Sequence, residues 1–170
     1  RNTGLVIVDL TDLSNISITA SLDTGFAIGV AISDDTERAY ISDINNKLHI
    51  VDTSILTNPT LISSVDLTDA GRDVVVSSDE SSVYVSSYLS GLQVIDTTDI
   101  NSPVLVGNVN TVGQSTNLAI SLDDKHVFIA DGDGGLKIVD TEKALLGNSI
   151  PPTITLNGPN YINHLSGTPY

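Results

Sequence analysis

A pentapeptide written four times constrains this chain more than any other feature. Leu5-Val6-Ile7-Val8-Asp9 returns as Leu48-His49-Ile50-Val51-Asp52, Leu92-Gln93-Val94-Ile95-Asp96 and Leu136-Lys137-Ile138-Val139-Asp140. The opening leucines stand 43, 44 and 44 residues apart. A fixed period of that length means stacked supersecondary units, each burying its apolar face against its neighbours.

Aligning the chain on this period exposes four strand-like runs per unit. The first is 30–33 (VAIS), 74–77 (VVVS) and 118–121 (LAIS). Its near-continuous apolar character predicts a strand buried on both faces. The second is 39–42 (AYIS), 83–86 (VYVS) and 127–130 (VFIA), with Tyr40, Tyr84 and Phe128 in register. These rings are expected to fill the space between neighbouring sheets. The third is the pentapeptide itself, whose closing Asp is read as a turn-former that accepts backbone N–H bonds. The fourth is 18–22, 61–65 and 105–109, in which polar residues separate the apolar ones. That spacing suits a half-exposed outer strand, where the upstream Pro59 and Pro103 do no harm.

The turns agree with this reading. Turns rich in Asp and Ser/Thr at 34–36 and 78–80, and Leu122-Asp123-Asp124, join the first two strands, and turns with Asn or Gly at 45–47, 90–91 and 133–135 join the next two. Four antiparallel strands in about 40–45 residues is the size of a propeller blade. The fold class is therefore all-β, a β-propeller-type repeat of about three and a half blades. An open arc of that kind leaves buried-type faces at both ends, so further blades or other chains are expected to complete it.

The segments GLVIVD, KLHIVD, GLQVID and GLKIVD, with FAIGVAIS at 26–33 and FIADG at 128–132, resemble the LVIVD-repeat family over roughly residues 4–141. The resemblance implies a β-propeller of bacterial or archaeal surface proteins and a binding or scaffold role. It brings no catalytic residues with it. After Asp140 the spacing breaks. PPTITLNG at 151–158 and GTPY at 167–170 are similar to the start of a bacterial immunoglobulin-like surface domain. The domain reading is thus blades over 1–148, then a linker and the start of an Ig-like domain over 149–170. In the rival reading, 153–156 is a displaced last strand of the final blade. The abrupt opening at Arg1 reads as part of a larger multi-domain protein.

Charge narrows the partners. The chain has 21 acidic and 7 basic residues, for a net charge of −14. Nucleic acid is a poor partner, since phosphate binding needs a Lys/Arg surface. Insertion into a membrane is not expected, because no apolar run reaches the length of a span. The absence of cysteine removes disulfides and thiolate chemistry. Protein or glycan partners at the cell surface are expected, or other copies of the chain.

Two places invite a functional reading. The segments entering each first strand (26–29, 71–73 and 115–117) would ring one mouth of a propeller channel. Arg72, Asp73 and Asn117 are their polar members and differ between copies, as binding residues on a fixed scaffold do. They are the candidate ligand-binding residues, weighed against plain solvation of a surface rim. Asp131-Gly132-Asp133-Gly134-Gly135 begins like a calcium loop, but Leu136 stands where an EF-hand requires Gly. An irregular calcium site using Asp131 and Asp133 competes there with an ordinary hairpin turn.

His49, His126 and His164 lack ligand spacing, and the alignment of His49 with Gln93 and Lys137 reads as an outward position. Asn15-Ile16-Ser17 matches a glycosylation sequon. No nucleophile elbow or phosphate loop is present, so no enzyme activity and no resident cofactor is expected, calcium being the one candidate. The reading that follows is a non-enzymatic extracellular or cell-surface adhesion scaffold. The alternative is a structural subunit whose blades are completed by other chains. A metal-dependent propeller hydrolase comes third, because the channel-mouth positions offer it no His.

Overall fold

Each strand-like run of the repeat forms a strand. The computed structural model describes residues 4–141, and thirteen strands lie among them. β1 (Gly4–Asp9) and β2 (Ser17–Asp23) form a two-stranded sheet. β3 (Ala27–Ile32), β4 (Arg38–Asp43), β5 (Lys47–Asp52) and β6 (Thr60–Asp66) form a four-stranded meander. β7 (Gly71–Val76), β8 (Ser82–Ser87), β9 (Gly91–Asp96) and β10 (Val104–Val109) repeat it. β11 (Asn117–Ile120), β12 (His126–Ala130) and β13 (Leu136–Asp140) supply three strands of the next. All pairings are antiparallel. The result is two complete blades flanked by two partial ones, in an arc that does not close among the described residues. The Ig-like tail, its rival strand at 153–156 and His164 lie outside them.

The core lies between blades. Tyr40, Leu48 and Ile50 of one blade pack on Val74, Val83, Val85 and Ile95 of the next. Tyr84, Leu92 and Val94 then pack on Val127, Ile129 and Val139. Tyr40 is 0% exposed, as its register with Tyr84 and Phe128 predicts. Its hydroxyl donates to Glu80 Oε2 at 2.7 Å, and Glu80 also receives the Arg38 guanidinium at 2.8 and 3.0 Å. Burial, reinforced by that bond, pushes the Tyr40 hydroxyl well above its ordinary pKa.

The turns account for much of the acidic charge. Asp52 accepts from the Ser54 N–H at 2.9 Å, Asp96 from Thr98 at 2.9 Å and Asp9 from Thr11 at 2.8 Å, the turn role read for the closing Asp. In the first hairpin of each unit, Ser33, Ser77 and Ser121 donate their hydroxyls to Asp35, Asp79 and Asp123 at 2.6–2.7 Å. The Ser33 and Ser121 hydroxyls hold Asp35 and Asp123 below the usual carboxylate range, and the Ser81 N–H, with the Ser77 hydroxyl, does the same for Asp79. The Thr after the pentapeptide closes the same corner. Thr53 and Thr97 donate to the carbonyls of Thr36 and Glu80 at 3.0 and 2.6 Å, and Thr141 bonds that of Asp124. Those three acceptor residues all have positive φ, at 64, 57 and 56°.

Two expectations need correction. The first strand is not buried on both faces in every copy. Val30 is 56% exposed, whereas Val74, one repeat on, is 2% exposed. Val30 pairs with Ile41, on the face that packs against Leu5 and Leu22. β1 and β2 correspond to the third and fourth strands of a blade and cover only the outer part of that face, so Val30 and Ile32 lie bare. His49 is not outward. It is buried, with Nε2 3.4 Å from Asp43 Oδ2. The pentapeptide is the third strand and is covered on both faces in a complete blade, so its middle residue has no solvent side. Gln93, at the same position, is buried as well and accepts from the Thr68 N–H at 2.7 Å. His126 is exposed.

Candidate functional site

The inner strands β3, β7 and β11 lie side by side, and each begins irregularly. In β3 the pairing jumps from Ala27↔Asp43 to Gly29↔Ser42, leaving Ile28 as the extra residue. In β7 it jumps from Gly71↔Ser87 to Asp73↔Ser86, leaving Arg72. At β11 the Thr116 N–H bonds the Ala130 carbonyl at 3.0 Å while Asn117 pairs with the same residue, so Thr116 holds the equivalent place. A bulge re-aims its extra side chain out of the pleat. Three consecutive repeats thereby present Ile28, Arg72 and Thr116 at one mouth. With Asp73, Asn117 and Tyr88 they line an open cleft of about 460 Å³. The close approach of β3 to β7 requires Gly29, where a Cβ would come within 2.7 Å of the Arg72 carbonyl oxygen.

All three sequence-predicted ligand residues, Arg72, Asp73 and Asn117, meet in this cleft, but their situations differ. Asp73 is committed to the fold. Its Oδ1 accepts from the Val74 N–H at 3.0 Å and its Oδ2 from the Leu118 N–H at 2.8 Å, tying β7 to β11. Ser86 completes the tie, accepting from the Asp73 N–H at 3.0 Å and donating to the Thr116 carbonyl at 3.3 Å. Arg72 is not committed. Its guanidinium carbon lies 5.0 Å from the centroid of the Tyr88 ring, and its buried Nε has no hydrogen-bond partner among the described residues. The exposed Asn117 side chain faces the same cleft.

Tyr88 escaped the sequence reading, although a signal was present. It is an aromatic out of register with Tyr40, Tyr84 and Phe128, at a position held by Ile44 and Gly132 in the neighbouring copies.

The calcium candidates separate. Asp131 is 1% exposed, and its carboxylate accepts from the Gly113 N–H at 3.1 Å, the Ser115 hydroxyl at 2.7 Å and the Thr111 hydroxyl. It anchors the loop that enters β11. Asp133 lies exposed in a 3₁₀ turn (Gly132–Gly134). Among the described residues no three His, Cys, Asp or Glu side chains gather as a metal would need.

Blades of four antiparallel strands, stacked with their inner strands side by side, define a β-propeller-type repeat protein. The LVIVD repeat model matches residues 1–24, 25–67, 71–111 and 113–142, and the chain belongs to the LVIVD-repeat family. No curated protein sequence matches the chain at a significant level. Among solved structures it is similar to a protein from Lactobacillus plantarum (TM-score 0.71, 14% identity, 90% of this chain and 48% of that one). It is also similar to the β-propeller domain of Cps50 (Swd1) from Myceliophteria thermophila (0.61, 11%, 79% and 49%). A third is hydrazine synthase from Kuenenia stuttgartiensis (0.62, 18%, 74% and 37%). The chain spans less than half the length of each. At these identities the likeness is one of fold.

Proposed function

We propose that the chain is a non-enzymatic binding or adhesion scaffold, extracellular or at a bacterial or archaeal cell surface, whose contact site for a protein or glycan is the cleft at the mouth of β3, β7 and β11. One observation carries this reading: the cleft is lined where the repeats differ from one another, on a body where they agree. The bulge positions read Ile28, Arg72 and Thr116, and the following positions read Gly29, Asp73 and Asn117. Variable side chains on a fixed frame are how one fold acquires a particular partner. The lining also supports binding over catalysis. Among the described residues it contains no His, and both oxygens of its one carboxylate, Asp73, are held by backbone N–H groups.

The test is attachment. Fluorescently labelled chain is expected to bind intact cells of the source organism saturably. The double variant Arg72→Gln/Asn117→Ala is expected to lose that binding with its far-UV circular dichroism unchanged. Equal binding by the two proteins would remove the cleft from the account. Failure of an antibody to reach the native protein on unbroken cells would remove the location.

A second reading, a structural subunit completed by another copy, rests on the bare face carrying Val30 and Ile32. On the last described blade Phe128 and Ile138 repeat the register of Tyr40 and Ile50, so an outgoing face of the right kind exists to meet it. Light scattering at high concentration separates the readings: a discrete dimer or ring supports completion in trans, and a monomer opposes it.

A further inference from the structure

We propose that the mouth cleft recognises a single carboxylate, with Arg72 as the residue that binds it. This rests on the cleft being the binding site and goes on to its ligand. The Arg72 Nε is buried without a hydrogen-bond partner among the described residues, and no carboxylate pairs with the guanidinium there. The neighbouring Asp73 is unavailable, since both of its oxygens are turned to the N–H groups of Val74 and Leu118. A buried, uncompensated donor on a charged group is costly unless something outside the chain satisfies it.

The shape of the site selects the partner. The Tyr88 ring, 5.0 Å from the guanidinium carbon, lies under the cation. A guanidinium offers planar, forked donors that match the two oxygens of a carboxylate. The Asn117 amide adds a donor and an acceptor, and Ile28 gives the cleft an apolar wall for the body of the ligand. Charge then limits the ligand to one negative group. Among the described residues Arg72 is the single cation in the lining, on a chain of net charge −14 that repels polyanions at a distance.

The experiment titrates the whole 170-residue chain, labelled with nitrogen-15. The probes are D-glucuronate and N-acetyl-L-phenylalanine, with methyl glucoside and N-acetyl-L-phenylalaninamide as their neutral counterparts and inorganic phosphate as a competitor. Saturable movement of the Arg72 Nε–H and Asn117 amide resonances by either carboxylate, without movement by its neutral counterpart, is the expected result. The tighter of the two identifies the source as a sugar acid or a peptide terminus. Arg72→Lys keeps the charge but loses the fork, and is expected to weaken binding about tenfold, the loss of one charge-assisted hydrogen bond. Arg72→Gln is expected to abolish it.

The proposal is overturned if neither carboxylate binds, if a neutral counterpart binds as well, if phosphate competes equally, or if Arg72→Gln binds like the parent. Failure here is distinct from failure of the binding reading. A chain that attaches to cells through the cleft yet ignores carboxylates overturns only the ligand class. Carboxylate binding without attachment to cells overturns only the scaffold role.

Discussion

At the positions of Tyr40, Tyr84 and Phe128 the repeat keeps an aromatic ring. At the positions of Ile28, Arg72 and Thr116, on the same blades, it changes chemical class each time. The first set lies in the body of the blades, with Tyr40 and Tyr84 buried against the next sheet. The second lies at the mouth, on residues that fall outside the regular pairing. A blade-to-blade interface accepts only what fills the same space every 44 residues, so the body is locked to the period. A bulge residue faces the cleft and has no such duty. Stability and recognition therefore reside in different residues of one repeat, and substitutions at the two places should have opposite effects.

The largest expected effect is in the body. Tyr84→Ala should cost about 3–5 kcal/mol in urea unfolding, and Phe128→Ala, on a half-buried ring, less than half of that. Equal costs would mean that the last described blade is covered in solution. Val74→Ala should cost about 2 kcal/mol and Val30→Ala less than about 0.5, because only the first leaves a cavity. A Val30→Ala cost that rises to match Val74→Ala at high protein concentration would show a second copy seated on that face.

Next come the acidic residues. Asp131→Asn should cost about 1–3 kcal/mol, since the amide puts N–H donors where three hydrogen bonds are now accepted, while Asp133→Asn should change little. Calcium should leave the Tm of the parent unchanged. A rise that Asp131→Asn removes would restore the metal reading. Asp35, Asp52, Asp79 and Asp123 have folded pKa values below their unfolded ones. Their contribution is therefore complete above the unfolded value of about 3.9 and is lost as pH falls through the folded values. Unfolding midpoints should stay level from neutral pH to about pH 5 and drop below about pH 4. A steady decline from pH 7 would contradict this assignment to the turn carboxylates.

Much of the fold was legible because its devices repeat. Strand order, the aromatic register and the turn role of Asp52 and Asp96 all follow from the 44-residue spacing, which averages over local accidents. What was not legible depends on the neighbour a residue meets. Val30 and Val74 have the same local pattern and differ in exposure because one faces two outer strands and the other a whole blade. His49 reads as a polar outward residue in its own strand, but sheets cover both sides of it. At the site, the repeat brought Arg72, Asp73 and Asn117 forward as polar variables. It could not tell that Asp73 bonds the next blade while Arg72 Nε has no partner among the described residues. That distinction lies in the Leu118 N–H, 45 residues away from Asp73.

The smallest expected change in stability carries the central claim, that the mouth binds and the body folds. It is tested by measuring urea unfolding and cell attachment together for Arg72→Gln/Asn117→Ala and for Tyr84→Phe. The account predicts that the mouth variant stays within about 0.5 kcal/mol of the parent while attachment is lost. It predicts that the body variant keeps full attachment. Attachment that survives in the mouth variant, or that falls only in step with stability in both, would contradict it.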